Sequence, residues 1–91
     1  GLTFEWDPYK ASSNLQKHGI SFAEATTVFD DPLSATVSDP MHSTDEDRYL
    51  IIGLSNHSRL LIVAFAERAE RVRIISARRL TVQEQRQYEE S

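Results

Sequence analysis

The chain has no cysteine, so disulfides, thiolate nucleophiles and cysteine-based metal sites are excluded, and a reducing compartment poses it no difficulty. Its three glycines are scattered at positions 1, 19 and 53. No glycine-rich phosphate loop exists, which sets aside nucleotide triphosphatases and dinucleotide enzymes. There is no G-x-S-x-G elbow to support a serine hydrolase. His18, His42 and His57 stand alone in three separate segments, so no metal site is expected from ligand spacing. No apolar run approaches the roughly 20 residues of a membrane span. The opening stretch GLTFEWDPYK lacks a basic start followed by an apolar run, so no signal peptide is expected, and a cytoplasmic location follows as the default. Internal repeats and low-complexity segments are also missing, and 91 residues are expected to form one domain around one modest core.

Positive charge is absent from one long stretch and concentrated in the next. Residues 20–47 hold seven acidic side chains and neither lysine nor arginine. Residues 48–80 hold seven arginines against Glu67 and Glu70. The net charge of -4 conceals this division, which points to a nucleic-acid-facing surface or a charged protein partner. The densest part is RVRIISARRL at 71–80, an apolar run flanked by Arg71, Arg73, Arg78 and Arg79.

Local signals give the element order β-α-α-β-β-β-β-α. TFEWD reads as a short strand. Asp7 as N-cap and Pro8 at the first helical position open a helix that Gly19 closes. Ser21 with Glu24 three residues on forms the capping box of a second helix, stopped by Asp30-Asp31-Pro32. ATVSD is a short strand, and DPMHSTDEDR is the longest loop. RYLIIGLSN, RLLIVAFAE and RVRIISAR form a β-meander, and a last helix starts at Thr81 with Glu84 in the capping-box position. The expected class is α+β, an antiparallel sheet packed against helices. With hairpin loops at Asn56-His57 and Arg68-Ala69, Leu50, Ile52, Leu61, Val63, Phe65, Val72 and Ile74 share the helix-facing side. Tyr49, Ile51, Leu60, Ile62, Ala64, Arg71, Arg73 and Ile75 share the other.

Guanidinium groups stay charged at any working pH, and their planar donor pairs match phosphate oxygens. Cleaving RNA through its own 2′-hydroxyl needs a base, an acid for the leaving 5′-oxygen, and positive charge for the phosphorane. Arg48, Arg73 and Arg78 on a rigid sheet are the candidates for that charge. Lys17, His18 and Glu46 are the candidates for proton transfer. Lys10, Arg71, Arg79, Tyr49 and Trp6 are candidates for RNA contact, the tryptophan by stacking on a base. The competing reading makes the arginines solvated charges paired with nearby glutamates and aspartates, Trp6 a core residue, and His18 a helix-end cation.

Three stretches, FEWDPYKASSNLQKHGISFAEATTVFDDP, EDRYLIIGLS and RVRIISARRLTVQEQRQYEE, together resemble the BrnT toxins. The motifs WDP-x-K-x-x-x-N-x-x-KHG and RIISAR carry the resemblance, which runs in order over nearly the whole chain. The leading expectation is a metal-independent enzyme that needs no cofactor; the resemblance implies a RelE-like α+β fold and an endoribonuclease that blocks translation. It further implies neutralisation by a BrnA-like ribbon-helix-helix antitoxin, with DNA contacted only through that antitoxin and no membrane association. Relatives often carry His-Thr before the glutamate matching Glu67, where this chain has Phe65-Ala66. The alternative reading is a catalytically weak or inactive relative, acting as an antitoxin-binding co-repressor or an RNA-binding module.

Overall fold

A computed structural model describes residues 1–39 and 47–90. Glu46, His42 and most of the long polar loop therefore lie outside the described residues. The elements are β1 (Thr3–Glu5), α1 (Pro8–His18), α2 (Phe22–Thr27) followed by a 3-10 turn (Val28–Asp30), β2 (Ala35–Ser38), β3 (Arg48–Leu54), β4 (Leu60–Arg68), β5 (Arg71–Arg79) and α3 (Val82–Glu90). The α+β class and the element order are as expected.

Helix ends follow the capping chemistry in the sequence. The Asp7 carboxylate accepts the Tyr9 N–H at 2.8 Å, and Gly19 closes α1 at φ 71°, its N–H donating to Leu15 O. A left-handed residue there strains any side chain with a Cβ. Ser21 Oγ accepts the Glu24 N–H at 3.0 Å. The second half of that capping box is not made. Glu24 is only 4% exposed and turns into the protein, where Ser55 Oγ donates to it at 2.7 Å, Arg59 Nε at 2.9 Å, and Arg59 Nη2 also binds. α3 has the complete box, with Thr81 Oγ1 accepting from Glu84 N and Glu84 Oε1 accepting from Thr81 N.

The strands form one five-stranded sheet in the order β1-β5-β4-β3-β2. It is mixed rather than wholly antiparallel, because β1 runs parallel to β5, with Glu5 opposite Arg73. Ile20, Phe22, Ala25 and Val28 from the helical layer meet Ile51, Leu61, Val63, Phe65, Val72, Ile74 and Ala77 from the sheet. Phe29 packs edge-on against both Phe4 and Phe65, and Tyr49 stacks on Phe65. The 3-10 turn lies so close to β3 that a Cβ on Gly53 would stand 2.9 Å from Ser34 Cβ and 3.0 Å from Val28 Cγ1. Only glycine fits that approach.

The face assignment of β3 is reversed from the expected one. Tyr49, Ile51 and Gly53 face the helices, while Leu50, Ile52 and Leu54 face away. Leu54 pairs with Leu60, so the connection is the five-residue loop 55–59, with Ser58 at φ 59°, and not a two-residue Asn56-His57 turn. That moves the register by an odd step, and an odd step flips every side chain of a strand. The β4–β5 turn is also displaced, to Ala69-Glu70, both at positive φ as in a type I′ hairpin. There the register moves by an even step, so Phe65, Val72 and Ile74 keep the expected side. A bulge between Ala64 and Phe65 leaves Ile75 unpaired and resets the alternation of β5 beyond it.

Candidate active site

On the side of the sheet away from α1 and α2, the register lines side chains up in rows. The first row runs Glu5, Arg73, Ala66, Arg48. The second runs Ser76, Ala64, Leu50, Val37, and the third Arg78, Ile62, Ile52, Ala35. A half-buried apolar strip thus lies between arginines at its margins. Adjacent strands are about 4.8 Å apart, so the Arg48 and Arg73 backbones lie roughly 10 Å from each other, with a small residue between them. Two long guanidinium side chains at that separation can converge on one phosphate.

The three arginines differ in what holds them. Arg73 Nη1 donates to Glu5 Oε2 at 2.9 Å, and Arg71 Nη1 reaches the other carboxylate oxygen at 3.5 Å. The Arg73 hydrogen bond is the main reason the Glu5 carboxyl titrates below its ordinary value. Both terminal nitrogens of Arg78 bind Glu84, at 2.8 and 3.0 Å. Arg48 has no partner among the described residues, and its Nε is buried without a hydrogen bond. An orphaned buried donor is costly in a free protein and is satisfied when an acceptor arrives.

α3 is held at two points, by Glu84 to Arg78 on this face and by Tyr88 Oη donating to Leu33 O at 2.8 Å in the turn before β2. The Arg78 hydrogen bonds, helped by the Thr81 N–H, lower the Glu84 carboxyl from 4.5 to about 2. A depressed carboxylate contributes stability that is fully present above its unfolded value and is lost as pH falls through its folded one. Glu84→Gln should therefore melt below the parent above pH 4.5, and the two melting temperatures should converge as pH approaches about 2. Thermal unfolding across that range checks it.

The remaining predicted residues fall elsewhere. Lys10, Lys17 and His18 are exposed on α1 and border a groove of about 200 Å³ against Ile75 and Ser76. Trp6 packs edge-on against Phe22 with ring centroids 6.0 Å apart, at the margin of the core. Tyr49 lies in the helix-facing layer, stacked on Phe65, so it does not share the arginine face. Arg71 stands beside Glu5, and Arg79 is exposed opposite Leu61 near the end of β5. Asn14 is structural: its amide donates to Ile20 O and Ala77 O and accepts the Ala77 N–H, capping the edge of β5. Sequence reasoning missed Glu5 as the partner of Arg73, because only the parallel pairing of β1 with β5 brings them together. Glu84 was legible as a cap but not as the Arg78 partner.

A mixed five-stranded sheet with two helices on one face and arginines on the other defines a small α+β protein, the class to which compact ribonuclease toxins belong. The family described as the ribonuclease toxin, BrnT, of type II toxin-antitoxin system matches residues 6–84, and the chain belongs to that family. The crystal structure of the Brucella abortus ribonuclease toxin, BrnT, is similar to it at 25% identity and a TM-score of 0.65, covering 89% of this chain and 99% of that one. No curated protein matches the sequence. The protein is a ribonuclease toxin whose partner is an antitoxin protein. Among the described residues no helix is long and apolar enough to cross a membrane.

Proposed function

We propose that the outer sheet face cleaves RNA without a metal, through the ribose 2′-hydroxyl. The observation that carries this is the row in which Arg48 and Arg73 flank Ala66, with Arg48 Nε buried and without a hydrogen-bond partner among the described residues. The 2′-oxygen gives up its proton and attacks phosphorus; the P–O5′ bond breaks and the 5′-oxygen takes a proton. The products are a 2′,3′-cyclic phosphate and a 5′-hydroxyl end, and neither water nor an added cofactor enters the balance. Arg48 and Arg73 stabilise the charge on the phosphorane oxygens. Arg78 is the third cation of this face, available to RNA when Glu84 releases it. His18, across the edge of β5 from the row, and Glu46, the acidic residue nearest Arg48 in sequence, are the groups offered for proton transfer.

Cutting messenger RNA in the cytoplasm blocks translation, and a BrnA-like ribbon-helix-helix antitoxin neutralises the toxin and supplies the DNA contact for autoregulation. Cleavage should persist in excess EDTA and be abolished by 2′-O-methylation of the RNA. Analysis of the product ends checks both. Loss of activity on chelation, or cutting of the methylated strand, would overturn the proposed chemistry.

A further inference from the structure

One concentration of positive charge lies off the arginine face. Lys10, Lys17 and His18 project from one side of α1, at spacings of seven and eight residues. None has a carboxylate partner among the described residues, whereas Arg59, Arg71, Arg73 and Arg78 are each bound to a glutamate. The helix dipole accounts for cations in the last turn, where Lys17 and His18 sit. It disfavours Lys10, two residues into the helix from Pro8.

The groove beneath these cations is built by two features of β5. β1 ends at Glu5, opposite Arg73, so the edge of β5 beyond it is closed by Asn14 of α1 rather than by another strand. The bulge frees Ile75 from pairing, and Ile75 with the exposed Ser76 forms the wall facing the lysines. Ser76 also belongs to the outer face, where it lies between Arg73 and Arg78 along the strand. The groove and the arginine face therefore meet around the edge of the sheet.

We infer that this groove is a second phosphodiester site, holding an RNA phosphate outside the scissile position, with Lys10 and Lys17 as its cationic contacts. It rests on the ribonuclease reading, and it gives the substrate strand a path from the arginine face around the edge of β5 to α1. Each lysine–phosphate contact on a single strand adds about 0.7 to the dependence of log affinity on log salt, so losing two lowers the slope by roughly 1.4.

The test is binding of a 2′-O-methylated oligonucleotide across a salt series, for the parent, Lys10→Gln/Lys17→Gln and Lys10→Arg/Lys17→Arg. The glutamine pair is expected to bind more weakly with a slope shallower by that amount, and the arginine pair to keep the parent slope. Both lysines are exposed, and equal melting temperatures verify the fold. An unchanged slope in the glutamine pair, with a parent that cuts RNA, overturns the groove site and leaves the ribonuclease reading standing. A parent that binds the oligonucleotide but cuts no RNA overturns the cleavage reading, while the slopes still decide the groove. A parent that does not bind overturns both.

Discussion

Arg48→Ala is expected to keep the fold and lose cleavage by about 10²–10³-fold, the cost of removing one preorganised donor to a developing oxyanion. The prediction rests on the state of that guanidinium in the free protein. Arg73 and Arg78 are held by Glu5 and Glu84, so a phosphate must compete with a carboxylate for each. Arg48 is not held by any described residue, and its buried Nε bears a desolvation cost that truncation relieves. Stability should therefore be retained or slightly increased while activity falls, a combination that a merely structural arginine does not produce. Arg48→Lys should recover only part of the loss, since an ammonium restores the charge but not the planar fork. Single-turnover cleavage with parallel thermal melts checks this, and full activity in the alanine variant removes Arg48 from the site.

The largest effect on stability is expected at Glu24. Its carboxylate is 4% exposed and gathers Ser55 Oγ, Arg59 Nε and Arg59 Nη2, with His57 Nδ1 at 3.7 Å. It thereby pins the β3–β4 loop to α2. Glu24→Gln leaves the Arg59 guanidinium with a neutral partner and should cost about 2–3 kcal/mol, the scale of hydrogen bonds to a buried charged group. The Arg59 hydrogen bond is the chief cause that lowers the Glu24 carboxyl below 4.5. The stabilisation is thus fully present above that pH and fades as pH falls through the lower folded value. Denaturant unfolding should show the parent and Glu24→Gln well separated at neutral pH and closing together on acidification. Equal stability at neutral pH would show that the buried pair contributes nothing.

What could be read from the sequence was whatever the chain encodes locally. Asp7, Pro8, Gly19, Ser21 and Thr81 marked helix ends because a cap is made by residues within a few positions of each other. Phe65, the point of departure from the relatives' His-Thr, was placed in the core by the alternation of β4, and it is 4% exposed there. The parity of β3 was not legible. It depends on a five-residue loop that Glu24, thirty-one residues earlier in the chain, holds closed through Ser55. The same odd step that takes Tyr49 inward brings Arg48 out to the row of Arg73. The expected face pattern put Arg48 and Arg73 on opposite sides of the sheet, and the observed register puts them on one. The parallel strand β1 escaped for a similar reason: nothing near TFE indicates a partner sixty-eight residues away.

Everything about the active site depends on Arg48 and Arg73 meeting the same phosphate. A double-mutant cycle on single-turnover cleavage, with Arg48→Ala, Arg73→Ala and the pair, measures that directly. Two groups sharing one ligand should show coupling of about 1–3 kcal/mol, the pair losing less than the singles combined. Losses that add to within about 0.5 kcal/mol, or singles that cut as the parent does, would contradict the shared phosphate.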